Sequence, residues 1–250
     1  MHNADFYHAI RLAIWEKLRP VALPDSRFSF DFLEYIPDFQ GSCNAINNIL
    51  KSNQYKRSSC IFITPDNCLS LIRENAIKDE KKILISTYGI KRGFILLDRS
   101  MVPNGQEIFA STLDGLEYFG RKVSLSDIKK DLRRIDLLVT GASAVSIGGV
   151  RFGKGHGFFD IEWGIFTEMG LVSTDVPIFS VVHDVQVIYD ELIKKETDIT
   201  VDYIFTQNEV IRTIRQSNRP HGIKWDIVTE QRKNEIPVLE ELYNYLSKNI

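Results

Sequence analysis

The strongest constraint on the fold is a series of short apolar runs, "CIFITP", "KILIST", "GFILLD", "DLLVTGASAVS", "PIFSVVHD" and "VDYIFT", which continue the length of the chain. Within them apolar residues follow one another instead of alternating with polar ones, as expected of strands covered on both faces. Helix-like segments separate several of these runs: "LSLIRENAIK", "LSDIKKDLRR", "FFDIEWGIFTEM" and the closing "EIPVLEELYNYLSKN". The alternation predicts an α/β fold, a mostly parallel sheet with helices on both faces. "IKWDIV" belongs to the same series of short elements.

Ahead of this region, Phe6, Ala9, Ile10, Ala13, Ile14 and Leu18 recur at helical spacing, so residues 5–18 are expected to form an amphipathic helix that ends near Pro20. The Pro- and Asp-rich stretch "RPVALPDSRFSFDFLEYIPDFQGS" is a loop long enough to serve function, and Ala45 to Leu50 form a second short helix. Pro103 to Gly105 mark a turn. Residues 1–235 are read as one α/β domain and residues 236–250 as a C-terminal helix packed on it. With 44% hydrophobic positions in 250 residues, the chain has enough apolar material for a sizeable core.

Charge narrows the function. The 31 basic and 33 acidic residues nearly cancel and form no like-charged run, so no nucleic-acid partner is expected and any phosphate binding must be local. No stretch reaches the roughly 20 apolar residues of a membrane span, and a cytoplasmic location is expected. Cys43, Cys60 and Cys68 form no CxxC pair and are read as core thiols. Composition says nothing of oligomeric state.

The candidate site lies in "GGVRFGKGHGFFDIEWG", Gly148 to Gly164, between an apolar strand and a helix. Glycines at 153, 155 and 157 let phosphate oxygens approach the backbone, and a helix N-terminus supplies unpaired N–H groups and partial positive charge. Arg151, Lys154 and His156 add side-chain donors, and Asp160 is placed to hold a Mg²⁺ ion that bridges phosphates. A bare G-x-G-x-G, taken alone, favours a tight strand-to-helix turn over a phosphate cradle. Neither a dinucleotide fingerprint nor a Walker Lys-Ser/Thr pair is present.

Taken whole, "RFGKGHGFFD" resembles the signature of the 5-formyltetrahydrofolate cyclo-ligase family, and "KILISTYGIKRGFILL", "VPIFSVVHDVQVI" and "TDITVDYIFT" follow in that family's order. "IPDFQGSCNAINNI" is similar to its methenyltetrahydrofolate synthetase domain-containing branch. The resemblance implies a fold similar to the NagB/RpiA/CoA-transferase group. It also implies a reaction in which ATP phosphorylates the formyl oxygen of 5-formyltetrahydrofolate and a neighbouring folate nitrogen closes the ring, giving 5,10-methenyltetrahydrofolate, ADP and phosphate. It assigns catalytic roles to Arg151 and Lys154, nucleotide contacts to Gly153, Lys154, Gly155, His156, Gly157, Phe158 and Phe159, and folate contacts to Lys154, His156, Phe158 and Asp66. Magnesium falls to Asp160 and Asp198, with Asp202 as the competing second ligand. The implied partners are folate and nucleotide. A non-catalytic protein that retained the cleft is the alternative, because Gln40 and Ile161 stand where relatives often carry Lys and Arg, and Arg11, Lys17 and Arg19 give no clear register for an N-terminal phosphate-binding helix.

Outside the loop, His183, Asp184 and Gln186 follow an apolar strand and are as consistent with loop hydrogen bonding as with ligand contact. Ser143 and Ser146 lack a nucleophile elbow and are read as structural. Lys91 and Arg92 are read as solvated, although able to reach an anion, and Trp15, Trp163 and Trp225 as core.

Overall fold

The computed structural model describes residues 3–190, 192, 194–214 and 218–248. Eleven strands are present among them: β1 Cys60–Ile63, β2 Lys82–Ser86, β3 Phe94–Leu97, β4 Arg121–Val123, β5 Leu137–Gly141, β6 Ala144–Ser146, β7 Arg151–Phe152, β8 Ile178–Val181, β9 Val187–Ile188, β10 Tyr203–Phe205 and β11 Val210–Arg212. Eight build the main sheet in the order β11-β10-β8-β5-β1-β2-β3-β4. From β10 to β2 the pairings are parallel; β11 at one edge and β3 and β4 at the other are antiparallel. The mostly parallel α/β architecture expected from the apolar runs is therefore present, with antiparallel margins. A smaller sheet, β7-β6-β9, stands beside it.

The helices are α1 Asn3–Leu18, α2 Ser42–Lys51, α3 Asn53–Arg57, α4 Ser70–Lys78, α5 Glu107–Ala110, α6 Leu113–Phe119, α7 Leu125–Asp131, α8 Phe158–Glu168, α9 Glu230–Glu235 and α10 Val238–Lys248. Strand side chains alternate between two buried layers. Ile61, Ile63, Ile83, Ile85, Leu137 and Val139 pack with Ile46 and Ile49 of α2 and Ile72 of α4. Phe62, Leu84 and Leu138 pack on the opposite face with Ile128 of α7, Phe159, Trp163 and Phe166 of α8, and Leu239 and Leu242 of α10. Covering both faces is what permits the strands to be apolar throughout. None of the described helices is long and apolar enough to cross a membrane.

Three sequence expectations change in detail. The buried stripe of α1 is Tyr7, Ile14, Trp15 and Leu18, whereas Ala9 and Ala13 are exposed; the larger rings, not the methyls, gain most from burial. Cys43 is exposed on α2, so only Cys60 and Cys68 are core thiols. "IKWDIV" contains a single 3₁₀ turn, Trp225–Ile227.

The chain order creates a crevice. β2 lies on one side of β1 and β5 on the other: the chain runs outward from β1 through β2 and β3 to β4 and then returns to β5, so the strand order reverses at β1. In parallel sheets such a reversal opens a cleft beyond the carboxyl ends of the strands.

Candidate active site

The glycine loop closes over that cleft. It does not leave the central sheet directly, as its position after "DLLVTGASAVS" suggested, because β5 first passes into the β6–β7 hairpin. The loop starts at the end of β7 and enters α8 through Gly157, which at φ 64° and ψ 23° occupies the left-handed region favoured by glycine. Asp160 then lies in the first turn of α8, where negative charge is favoured by the helix dipole.

The cavity, of about 220 Å³, is lined by every residue that the family resemblance assigned to the site, the competing candidate Asp202 apart: Asp66, Arg151, Gly153, Lys154, Gly155, His156, Gly157, Phe158, Phe159, Asp160 and Asp198. Asp66 follows β1, and its Oδ2 accepts from the Thr64 hydroxyl at 2.5 Å and from the N–H of Gly141, at the end of β5, at 2.9 Å. This carboxylate thus ties the two strands together at the reversal point. Arg151 donates from Nε to the Gly141 carbonyl at 3.0 Å, with its guanidinium 4.7 Å from the centre of the Phe159 ring.

Lys154 reaches across the cleft. Its Nζ donates to the Glu34 carbonyl at 2.7 Å and to the Tyr88 hydroxyl at 2.6 Å, and burial lowers its pKa. The long N-terminal loop is therefore part of the site. Phe28, stacked between Tyr35 and Tyr88 at 5.9 and 5.8 Å, holds it there. His156 stacks on Phe158 at 5.2 Å, and its pKa is lowered by burial and by the charges of Lys154, Arg232 and Arg11.

Asp160 and Asp198 share the cleft although nothing in the local sequence pattern announces it.

 Between them lie the rest of α8, β8 and β9 with their connections, and a backbone bond brings the ends together: the Ile199 N–H donates to Asp160 Oδ1 at 3.0 Å. Asp198 is itself fixed by the Lys195 N–H, which donates to its Oδ2 at 2.8 Å. Burial pushes the Asp160 carboxyl up to about 6, a rise that the nearby Asp198 charge adds to and that Arg151 and the Ile199 N–H oppose. Asp202, the competing candidate, does not line the cleft. It pairs with buried Arg219 at 2.5 Å and accepts from the Ile178 N–H at 2.8 Å, which makes it a brace at the start of β10.

Among the described residues no group of three or more His, Cys, Asp or Glu side chains could hold a metal ion. The carboxylates of Asp160 and Asp198 nevertheless fit magnesium, which commonly takes one or two protein carboxylates and completes its shell with phosphate oxygens and water.

Several lining residues were not assigned to the site from the sequence. Arg11, the one α1 cation of Arg11, Lys17 and Arg19 to line the cleft, donates from Nε to the Gly153 carbonyl at 2.9 Å. Lys195 and Thr197 arrive with Asp198. Glu162 is 2% exposed, and burial raises its carboxyl to about 8 despite a hydrogen bond from Ser86 and the charge of Arg151. Its position two residues after Asp160 was visible; its inward direction depends on the packing of α8.

The other candidates lie elsewhere. His183 caps a 3₁₀ turn by accepting the Val185 N–H, and buried Gln186 donates to the Ala142 and Ser143 carbonyls. Asp184 accepts from Gln207 at 2.9 Å. Arg92 pairs with Glu117. Ser146 is buried at the end of β6 and Ser143 just before that strand, and Trp163 donates to the Pro220 carbonyl at 2.7 Å.

The pattern of the 5-formyltetrahydrofolate cyclo-ligase family matches residues 7–207. The chain belongs to this family. Two relatives are named methenyltetrahydrofolate synthase domain-containing protein: that of Danio rerio is 34% identical over 213 residues, covering 83% of this chain and 54% of its own length, and the Homo sapiens protein is 33% identical over 239 residues, 93% and 60%. The chain thus spans between half and two thirds of these relatives. The Aquifex aeolicus 5,10-methenyltetrahydrofolate synthetase structure superposes with a TM-score of 0.52 at 17% identity, covering 88% of this chain and 98% of that one. That likeness establishes the cyclo-ligase family fold.

Proposed function

We propose that this protein is an ATP- and Mg²⁺-dependent 5-formyltetrahydrofolate cyclo-ligase. The observation that carries the reading is the convergence of the glycine loop, Asp160 and Asp198 with Arg11, Arg151, Lys154 and Lys195 at the strand reversal beside Asp66. Phosphoryl transfer depends on positioning and charge neutralisation, and this cleft supplies both without a protein nucleophile.

The loop N–H groups and the cationic side chains hold the nucleotide phosphates. Asp160 and Asp198 would hold magnesium, which would supply charge neutralisation at the phosphate oxygens. Lys154, His156, Phe158 and Asp66 orient the folate so that its formyl oxygen faces the transferred phosphoryl group. Arg151, fixed on the Gly141 carbonyl, needs no reorganisation to stabilise the charge that develops there.

A second reading, a binding protein without turnover, is favoured by the narrowness of the cleft: Lys154 spans it to Glu34 and Tyr88, and its volume of about 220 Å³ is below the range usual for ligand pockets. The deciding experiment follows 5,10-methenyltetrahydrofolate absorbance with purified protein, 5-formyltetrahydrofolate, ATP and Mg²⁺. Turnover that requires all components supports the ligase; binding of either ligand without turnover supports the second reading.

A further inference from the structure

The chain beyond the residues matched to the family returns to the glycine loop. It is pinned first at the C-terminal half of α8: Gly222 N–H donates to the Thr167 hydroxyl at 2.9 Å, Ile223 N–H to Glu168 at 3.3 Å, and Trp163 Nε1 to the Pro220 carbonyl. Gly164 gives it room, since a Cβ there would collide with Ile223. The segment then runs to α9, where Arg232 donates to the carbonyl of His156 and places its guanidinium 5.1 Å from the centre of the Phe158 ring. Glu235 flanks the same guanidinium at 3.4 Å.

Arg232 is not part of the cleft lining, whereas His156, Gly157 and Phe158 are. A trans peptide is planar and directs its C=O and N–H to opposite sides. Holding the His156 carbonyl toward Arg232 therefore turns the Gly157 N–H away from Arg232. Gly157 has no Cβ to restrict its backbone, so without a partner for that carbonyl this peptide plane is the one most free to rotate.

We propose that Arg232 is a positioning residue: by holding the His156 carbonyl and covering Phe158, it fixes the peptide plane that directs the Gly157 N–H toward a phosphate-bearing ligand. It thereby couples ligand binding to the docking of residues 218–235 on α8. The ligand part of this inference rests on the cyclo-ligase reading; the loop-ordering part does not.

The test compares Arg232→Gln and Arg232→Lys with Lys233→Gln as the surface control. Two measurements are made: amide hydrogen exchange of Gly155 to Phe158, and binding of a non-hydrolysable ATP analogue with Mg²⁺. Arg232→Gln is expected to speed exchange in the loop and weaken analogue binding, each about tenfold, the effect of losing one charge-assisted hydrogen bond, with the core of α8 still protected. Arg232→Lys, which keeps a cationic donor, should restore most of the protection, and the control should match wild type. Unchanged loop exchange in Arg232→Gln overturns the proposal whatever the binding result. Faster loop exchange in Arg232→Gln with no analogue binding by wild type supports the positioning role and counts against the cyclo-ligase reading instead.

Discussion

The Ile199 N–H donates to Oδ1 of Asp160 at 3.0 Å, a bond that joins the segment before β10 to the first turn of α8 and sets Asp198 beside the same cleft. Each carboxylate commits one oxygen to a backbone N–H. The pair is thus held in place before any ion arrives.

Replacement of either aspartate tests that arrangement. Asp160→Asn and Asp198→Asn keep size and can still accept the backbone bond through the amide oxygen, but each removes an anionic ligand. Turnover is expected to fall at least about a hundredfold and Mg²⁺-dependent nucleotide binding at least about tenfold, with melting temperatures near wild type. Calorimetric titration with and without Mg²⁺ measures this; wild-type metal dependence in both variants would remove the metal site from these residues.

The raised Asp160 carboxyl gives metal binding a pH signature. A protonated carboxyl is a poor ligand, so binding Mg²⁺ below about pH 6 releases the Asp160 proton. Apparent affinity should therefore rise about tenfold per pH unit below 6 and level off above it. Titrations between pH 5 and 8 test the slope, and Asp160→Asn should flatten it.

Glu162 predicts a pH effect on stability. Its folded pKa, about 8, lies above the usual 4.5, so folding favours the protonated form. The associated stability is fully present below about pH 4.5 and is lost as pH rises toward 8. Glu162→Gln keeps the shape without the titration, and relative to wild type it should be stabilising by a few kcal/mol, on the order implied by the shift, at pH 8 and by little at pH 4.5. Urea unfolding at both pH values decides; an equal difference at the two would assign the effect to packing.

The central strands and the glycine loop were legible because each depends on local sequence. Ile61, Ile63, Ile83 and Ile85 need only be buried to read as strands, and the loop glycines mark where a backbone must approach a ligand or turn. What could not be read depends on partners distant in the chain. β7 and β9, Arg151–Phe152 and Val187–Ile188, are too short to carry a pattern and exist only through pairing with β6. The α5–α6 pair follows a turn signal, but α6 packs on β3 at the antiparallel edge and α5 on α4, so its place is fixed by packing. Arg11 was one of several cations on α1, and only the docking of that helix on Gly153 selects it. Asp198 and Asp202 flank the same apolar run, and the buried Arg219 that claims Asp202 gives no local signal in sequence.

Lys154 links the glycine loop to the long N-terminal loop through the Glu34 carbonyl and the Tyr88 hydroxyl. Replacing it with alanine removes a partly desolvated cation from the cleft, and nucleotide affinity should fall by about 1.5–3 kcal/mol, the range for a charge-assisted hydrogen bond. Tyr88→Phe separates the two roles open to this side chain. If Lys154 acts on the phosphates, losing the hydroxyl frees it to turn toward them, and affinity should hold or rise while Lys154→Ala still weakens binding. If its role is only to brace the N-terminal loop, both variants should instead lower the melting temperature and leave nucleotide affinity unchanged. Calorimetric titration and thermal unfolding of the two variants, run side by side, distinguish these outcomes.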